Sequence, residues 1–574
     1  MITALEKTVS VVTGLRAWAL AGALLALGCQ GEQGERGPLG PEGPPGSPAS
    51  LGDTTLDKAL FAIGGRVALT AMQRFEVVAT GARNVIGEGF AAGDPSVEFT
   101  AFTATVSVDL AEDLMRIHYV RDLSFGPVTR LDYNEIIRGN VGFVAGRDSI
   151  LEASGTSEVM HTARMATSRR QQRLLNPHLI LREILADPTI AHEAGAAFFD
   201  GSIHELLVVD DPITPITLWV NTNTGFISKL TLVENDPLTR DSEIEVHYAG
   251  WKVLDKDVAF PRDVFVVKDG QLLHRERRES VVVDPSLDPA LFDFPSNTNP
   301  VFVADEATFA NQSHAYYQMF VGIGLPLDLV QKAPSDVGST MLAPGVFHVH
   351  GSTAMNGSHN SLVIAQATGV VVVEAPLHPE RSEAILQFIA NNAAITNKTV
   401  THVIMTHHHV DHSAGLRAFV AAGAKVVMQE NSRAFFEKVF KAPSTVLPDR
   451  QAMTPMNPIF STIAENGTLT IPDSGTNTVV VYHIPTSHSN DMLIVHLPGH
   501  GIVFESDMWN PMPNPNPSLP QGGAFDPDNI TELHNGIVAR IINPGGTVTT
   551  LAGGHGVTGP FCDLQAAVGS GTCP

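Results

Sequence analysis

A chain of 574 residues, 43% hydrophobic and 17% charged, is long enough for two or more buried cores and too apolar for wholesale disorder. Its 36 Lys and Arg stand against 60 Asp and Glu, a formal net charge of −24, and a field of that sign repels phosphate backbones, so nucleic acid is excluded as the expected partner. The only cysteines, Cys29, Cys562 and Cys573, are too few for a thiolate metal cluster or a disulfide-built scaffold, so any metal chemistry falls to carboxylates and the 23 histidines.

Residues 17–28 are apolar, uncharged and preceded by Lys7 and Arg16. They are too short to span a bilayer, which needs about 20 apolar residues, and read as a signal peptide over residues 1–28. Its end, Leu25-Ala26-Leu27-Gly28-Cys29, resembles a bacterial lipoprotein signal, in which the cysteine is lipidated and becomes the first mature residue, although Ala26 stands where that signal prefers Leu. Gln30 rather than Asp follows, which the resemblance ties to outer-membrane delivery. The expected product is an exported, periplasmic lipoprotein held at the membrane by its lipid alone; an ordinary signal with a bystander cysteine is the alternative. Gly31, Gly34, Gly37, Gly40, Gly43 and Gly46 recur at every third position among prolines. That is collagen spacing, but so short a run is expected to act as an extended tether over residues 29–50.

Residues 51–298 carry short alternating segments, among them 75–79, 102–110, 115–120, 205–209, 217–220, 244–248 and 264–267. Period-two patterning with Gly, Asp and Asn punctuation predicts antiparallel sheet. One helix is expected over 169–185, where Leu174, Leu175, Leu179, Leu181 and Leu185 mark an apolar face. The phrases Leu218-Trp219-Val220-Asn221-Thr222-Asn223-Thr224-Gly225, Val246-His247-Tyr248 and Phe260-Pro261 resemble the curved sheets of the LolA-like lipoprotein carriers. That resemblance implies a lipid or acyl chain on a concave face; a module packed on the second half is the competing expectation. No clustered His, Asp, Glu or Ser set suggests chemistry within this half.

A linker is expected over 299–335 and a catalytic domain over 336–574. Within the latter, 370–374 is an apolar strand ending in an acid, 379–391 an amphipathic helix and 400–405 a second apolar strand, the order of a βαβ unit in an α/β layered domain. Immediately after it comes Thr406-His407-His408-His409-Val410-Asp411-His412, an H-x-H-x-D-H pattern. Alternate residues of an extended segment share a face, so His407 and His409 converge on one cation while Asp411 and His412 turn towards a second.

This motif resembles that of the metallo-β-lactamase superfamily, whose remaining elements can be matched in order. His488 in Thr486-Ser487-His488-Ser489-Asn490-Asp491 fits a third imidazole, Asp507 at the end of the strand 502–506 a bridging carboxylate, and His555 in Gly553-Gly554-His555-Gly556 a last imidazole. The resemblance implies an αββα sandwich preceded by a mainly antiparallel β domain. It also implies one metal on His407, His409 and His488, a second on Asp411, His412 and His555, and Asp507 between them, with Asp411 and Asp507 as the catalytic acids. Imidazole and carboxylate donors without thiolate suit two zinc ions per chain, and iron or manganese accepts the same set.

Among the other histidines, His348, His350, His483 and His496 are expected to be structural, His408 to be exposed or to lie behind the ligands, and His359 to be a structural or pocket residue. A Cys562–Cys573 disulfide is expected for an exported chain.

The resemblance implies hydrolysis of a small acyl substrate, a lactone, ester or thioester, with a phosphodiester or sulfate ester behind it. Asp507 moves the chain away from β-lactam cleavage and towards the glyoxalase II and lactonase branch. The 19 residues after His555 leave little room for the helical substrate region of glutathione thioesterases. Two other classes stay open. One is a persulfide dioxygenase with a single iron on His407, His488 and Asp507; the other is a lipid-binding carrier whose second half is silent.

Overall fold

The computed structural model describes residues 53–124, 129–150, 156–293, 304–325, 337–351, 359–395, 397–511, 522–523 and 526–571. The expected signal and tether, Cys29 and Cys573 lie outside these residues. Cys562 is disulfide-bonded. Among the described residues no helix is long and apolar enough to cross a membrane. All of them belong to one compact unit, Leu51–Pro574.

After two short helices, Thr55–Ala62 and Gly65–Ala71, the first half forms a 13-stranded sheet. One meander runs from the Arg74–Val85 strand outwards to Thr156–Val159; a second runs inwards from Ala191–Phe199 to Gln271–Val283. The two meet where Arg74–Val85 pairs antiparallel with Gln271–Val283, Val77 standing opposite Val281. Strand burial alternates, as in Ile216–Asn221 and Asp263–Lys268, because one sheet face is apolar and successive side chains point to opposite faces.

That apolar face is covered by the chain's own helices. Where the sequence suggests a single helix there are two, Thr162–Leu175 and Pro177–Ala186. Pro177 has no N–H for the preceding turn and forces Asn176 out of the helical region, to φ −122 and ψ 84. The stretch read as a linker carries two further helices, Ala304–Gln312 and His314–Gly322. Every residue of the latter is buried, so it has no polar stripe to give it an amphipathic signature.

The second half is a sandwich. A seven-stranded sheet from Val337–Ala343 to Phe460–Ile463 turns parallel at Val370–Val373. A six-stranded sheet from Thr468–Ile471 to Thr558–Pro560 is antiparallel except where Ile502–Glu505 meets Thr550–Gly553. Val346, Leu362, Val371, Val373 and Ile404 of the first sheet pack with Val481, Leu493, Val495, Phe504 and Ala552 of the second. Outside them lie helices such as Pro379–Asn391 and Leu416–Ala421 on one side and Pro527–Ile537 and Phe561–Ala567 on the other. With both faces covered, the central strands are continuously apolar.

The halves share one core, in which Val77, Phe309, Tyr316 and Phe320 join Phe347, Met405, Phe419 and Phe436. Polar ties cross the same boundary. The Tyr316 hydroxyl donates to the Leu377 carbonyl at 2.7 Å, and Arg240, almost wholly buried, donates to the Leu447 carbonyl at 2.8 Å.

Two buried groups of the first half set how this core responds to acid. Burial pushes the His178 imidazole down to about 4. Burial opposes the Glu276 carboxylate, but Arg278, at 3.0 Å, and His274 outweigh it and hold the group at about 2. In both cases the unfolded chain binds more protons than the folded one between the ordinary and the folded value, so stability falls as pH falls. For His178 that window runs from 6.5 to about 4, and for Glu276 from 4.5 to about 2. Since His412 and His555, both raised, act the other way only above about 6.5, the denaturant midpoint of the metal-free protein is expected to drop from about pH 6 to pH 3. A midpoint flat down to pH 5 would contradict the burial of His178.

Candidate metal centre

The donor residues stand at the ends of sandwich strands. Val400–Ile404 leads into residues 405–409, and the turn Val410–Ser413 follows. His407 and His409 face inwards. His408 points the other way and is buried rather than exposed, its Nδ1 2.9 Å from Asp491 Oδ1. Asp507 follows Ile502–Glu505, His555 follows Thr550–Gly553, and His488 lies between Val479–His483 and Leu493–Leu497.

All seven expected residues come together, and Asp507 divides them. Its Oδ2 lies 3.2 Å from His407 Nε2, 3.0 Å from His488 Nε2 and 3.8 Å from His409 Nδ1. Its Oδ1 lies 3.0 Å from His412 Nε2 and 2.8 Å from His555 Nε2. Asp411 Oδ2 adjoins the second set, 3.3 Å from His412 Nε2 and 3.5 Å from His555 Nε2. Two ligands on one tetrahedral ion with bonds of 2.0–2.1 Å stand roughly 3.3 Å apart, so these separations are those a cation gathers.

Among the described residues, His407 Nε2, His412 Nε2, Asp411 Oδ1 and Asp507 Oδ1 are buried and make no hydrogen bond. Buried polar atoms are rarely left so, and a metal ion is the partner that satisfies several at once. The donors fit metal ions in three groups: His407, His409, His488 and Asp507; His412, Asp507 and His555; and His359, Asp411 and His555.

Electrostatics point the same way. Burial pushes the His407 ring well below its ordinary range, reinforced by His409 and His412, and brings His409 down to about 4. Both are neutral donors at physiological pH. Burial also opposes charge on His412 and His555, but Asp411 and Asp507 outweigh it, lifting His412 well above its ordinary range and His555 to about 9. The imidazoles in turn hold both carboxylates well below the usual range despite their burial. Protons on His412 and His555 thus supply positive charge where a cation would.

A second layer aims the donors. Glu374 Oε2 lies 3.0 Å from His412 Nδ1, and its Oε1 accepts from the Thr406 hydroxyl at 2.6 Å. The carboxylate fixes the proton on Nδ1 and leaves Nε2 bare for a metal. Asn360 Nδ2 donates to the Gly553 and Gly556 carbonyls at 3.0 and 2.8 Å, and His348 Nε2 lies 2.9 Å from the Gly553 carbonyl; together they hold the turn that presents His555. A Cβ at Gly554 would sit 2.0 Å from Ser506 Oγ, so only glycine fits beside the ligand. Asp507 and Glu374 have φ of +63 and +66, and such backbone strain clusters at functional sites.

Glu88 and Gly89 exceed the sequence reading, and His359 takes the second of its two expected roles, that of a pocket residue. His359, at φ +59 and almost fully buried, brings Nε2 to 3.2 Å from Asp411 Oδ2, an additional imidazole beside the second donor set. Glu88 Oε2 lies 3.3 Å from His409 Nδ1, and the Gly89 carbonyl 3.0 Å from His409 Nε2. The first half therefore reaches the site, although no cluster of its own residues suggests chemistry there. No local signal marks Glu88, which is 322 residues from Val410 in sequence.

Residues 354–536 match the family model described as the Metallo-beta-lactamase superfamily. The chain carries a domain of that superfamily, with His407, His409, Asp411, His412, His488 and Asp507 inside the match and His555 beyond it. A solved structure, the DIM-1 metallo-beta-lactamase, is similar at 16% identity and a TM-score of 0.30, covering 40% of this chain and 95% of its own. No curated protein matches the sequence.

Glu374→Gln keeps the size of the side chain and the Thr406 bond but removes the charge that orients His412. It is expected to weaken binding of the His412-side ion by roughly 10- to 100-fold, read by competition with a chromophoric chelator. Unchanged affinity would remove Glu374 from this role.

Proposed function

We propose that this protein is a binuclear metal-dependent hydrolase acting on a small acyl substrate, a lactone, ester or thioester, with zinc as the resident metal. The observation that carries the reading is the split of Asp507, one oxygen towards His407, His409 and His488 and the other towards His412 and His555. A one-metal oxidoreductase needs only His407, His488 and Asp507 and leaves the second set without a purpose. The carrier reading is weakened because the apolar face of the large sheet is packed against the chain's own Leu174, Leu181 and Phe320.

When bound, paired metals lower the pKa of a water from 15.7 towards about 7 and polarise the oxygen of the scissile group. His407, His409 and His488 would hold one ion, Asp411, His412 and His555 the other, and Asp507 both. Asp411 Oδ1 makes no hydrogen bond among the described residues, which suits it to accept a hydrogen bond from the attacking water, orient it and later pass a proton to the leaving group. Glu374 keeps the His412 proton on Nδ1 throughout, away from the reacting side.

The purified mature protein is expected to carry close to two transition-metal ions per chain, and His412→Ala to lose one of them preferentially. Asp507→Ala is expected to cut turnover on a lactone, ester and thioester panel by at least roughly 100-fold while circular dichroism stays unchanged. A single iron per chain with oxygen uptake on a persulfide would overturn the hydrolase reading.

We further propose a periplasmic, lipid-anchored protein, on the support of Leu25-Ala26-Leu27-Gly28-Cys29 and the glycine–proline run behind it. Cys29→Ser is expected to move the protein from the membrane fraction to the soluble one with activity retained. Wild-type protein that is already soluble after export would make the cysteine a bystander.

A further inference from the structure

Residues 86–96 form the tip of the hairpin between the Arg74–Val85 and Val97–Asp109 strands of the large sheet. Three successive residues of this tip grip the two loops that carry His409 and His488. Glu88 Oε1 accepts from the Val410 N–H at 3.1 Å, the Gly89 carbonyl lies 3.0 Å from His409 Nε2, and the Phe90 carbonyl accepts from the Asn490 N–H at 2.9 Å.

The tip is shaped for this placement by its own residues. Gly87 and Gly93 both have φ +88, a region closed to most side chains. A Cβ at Gly89 would lie 2.6 Å from Asp94 Cβ, and Asp94 Oδ2 accepts from the Ala91 N–H at 2.8 Å.

A carbonyl only accepts, so Nε2 of a neutral His409 carries the proton and Nδ1 is bare. Around that nitrogen stand His488 Nε2 at 3.1 Å, Glu88 Oε2 at 3.3 Å and Asp507 Oδ2 at 3.8 Å. Burial and the Asp411 and Asp507 carboxylates push the Glu88 carboxyl well above its ordinary range, as happens where crowded acids have no cation to offset them. Glu88 Oε2 thus stands 3.3 Å from a nitrogen of the four-residue donor set His407, His409, His488 and Asp507, a spacing at which two donors can share one ion. The Val410 bond holds the carboxylate in one orientation, and the side chain is 12% exposed. Among the described residues no Lys or Arg forms an ion pair with it.

Resting on the metal-centre reading above, we propose that this hairpin is part of the centre: Gly89 sets the tautomer of His409, and Glu88 is an additional protein donor to the ion gathered by His407, His409 and His488. The β half is then a component of the catalytic site, without which that ion is held less tightly.

The test is metal binding by the mature full-length protein, stripped and reloaded with zinc against a chromophoric chelator, and with cobalt for its d–d absorption. Glu88→Gln keeps the acceptor for Val410 but not the anionic donor, and is expected to weaken one of the two ions by roughly 10- to 100-fold, to change the cobalt spectrum and to leave the other ion in place. Glu88→Ala should show the same loss, with millimolar formate restoring part of the spectrum. Phe198→Ala, altering a side chain that is 74% exposed on the Ala191–Phe199 edge strand, should bind both ions as wild type does. Wild-type affinities and spectra in both Glu88 variants would overturn this proposal while leaving the binuclear reading intact. Wild-type protein that takes up no transition metal would overturn both.

Discussion

The second half of this molecule is organised around a repulsion. Asp411 and Asp507 stand close together in a space largely closed to water, where an uncompensated buried charge costs several kcal/mol, and the protons on His412 and His555 offset them. Such an arrangement persists only if the backbone beneath it cannot relax. Here Val373, Ile404, Phe504 and Ala552, each fully buried, lock the strand ends from which the donors hang. The left-handed φ at Asp507, Glu374 and His359 is the residue of that constraint, since each chain must turn sharply at the sheet edge to bring its side chain inwards.

The two-sheet architecture also explains why the second layer is as ordered as the first. Glu374 ends a strand of one sheet and orients His412, while Ser506, which ends a strand of the other, touches the same His412 nitrogen at 3.1 Å. One imidazole is thus fixed by both layers of the sandwich. A shift of either sheet would move a ligand, which ties packing in the core directly to the geometry of the centre.

Much of this was legible in the sequence, for identifiable reasons. The spacing of His407, His409, Asp411 and His412 is local, so its meaning survives without a fold, and His488, Asp507 and His555 each follow an apolar run within a few residues, as loops at the ends of buried strands do. The Arg74–Val85 strand and its neighbours announced themselves by alternation. The parts that did not show are those made by distance along the chain. Glu88 and Gly89 look like turn residues until the hairpin is seen against His409. His359 stands between Ser358 and Asn360 in sequence, and its aspartate partner 3.2 Å away in space is remote along the chain. The helix His314–Gly322 lacks any polar face, since it is enclosed by both halves. Pro177, by contrast, was a visible break that the run of leucines around it masked.

The common core of the two halves bears on how such a protein can be inherited. A Cβ added at Gly87 would meet Val410 and one at Gly93 would meet Phe435, while Phe309 packs on His378 with ring centres 5.3 Å apart. Cutting the gene between the halves would open these surfaces to solvent on one fragment and unroof the large sheet's helices on the other. Recombination that treats the hydrolase-like half as a portable cassette is therefore penalised from both sides. Once joined, the halves are bound to drift together, each substitution at the seam answerable to its neighbour across it.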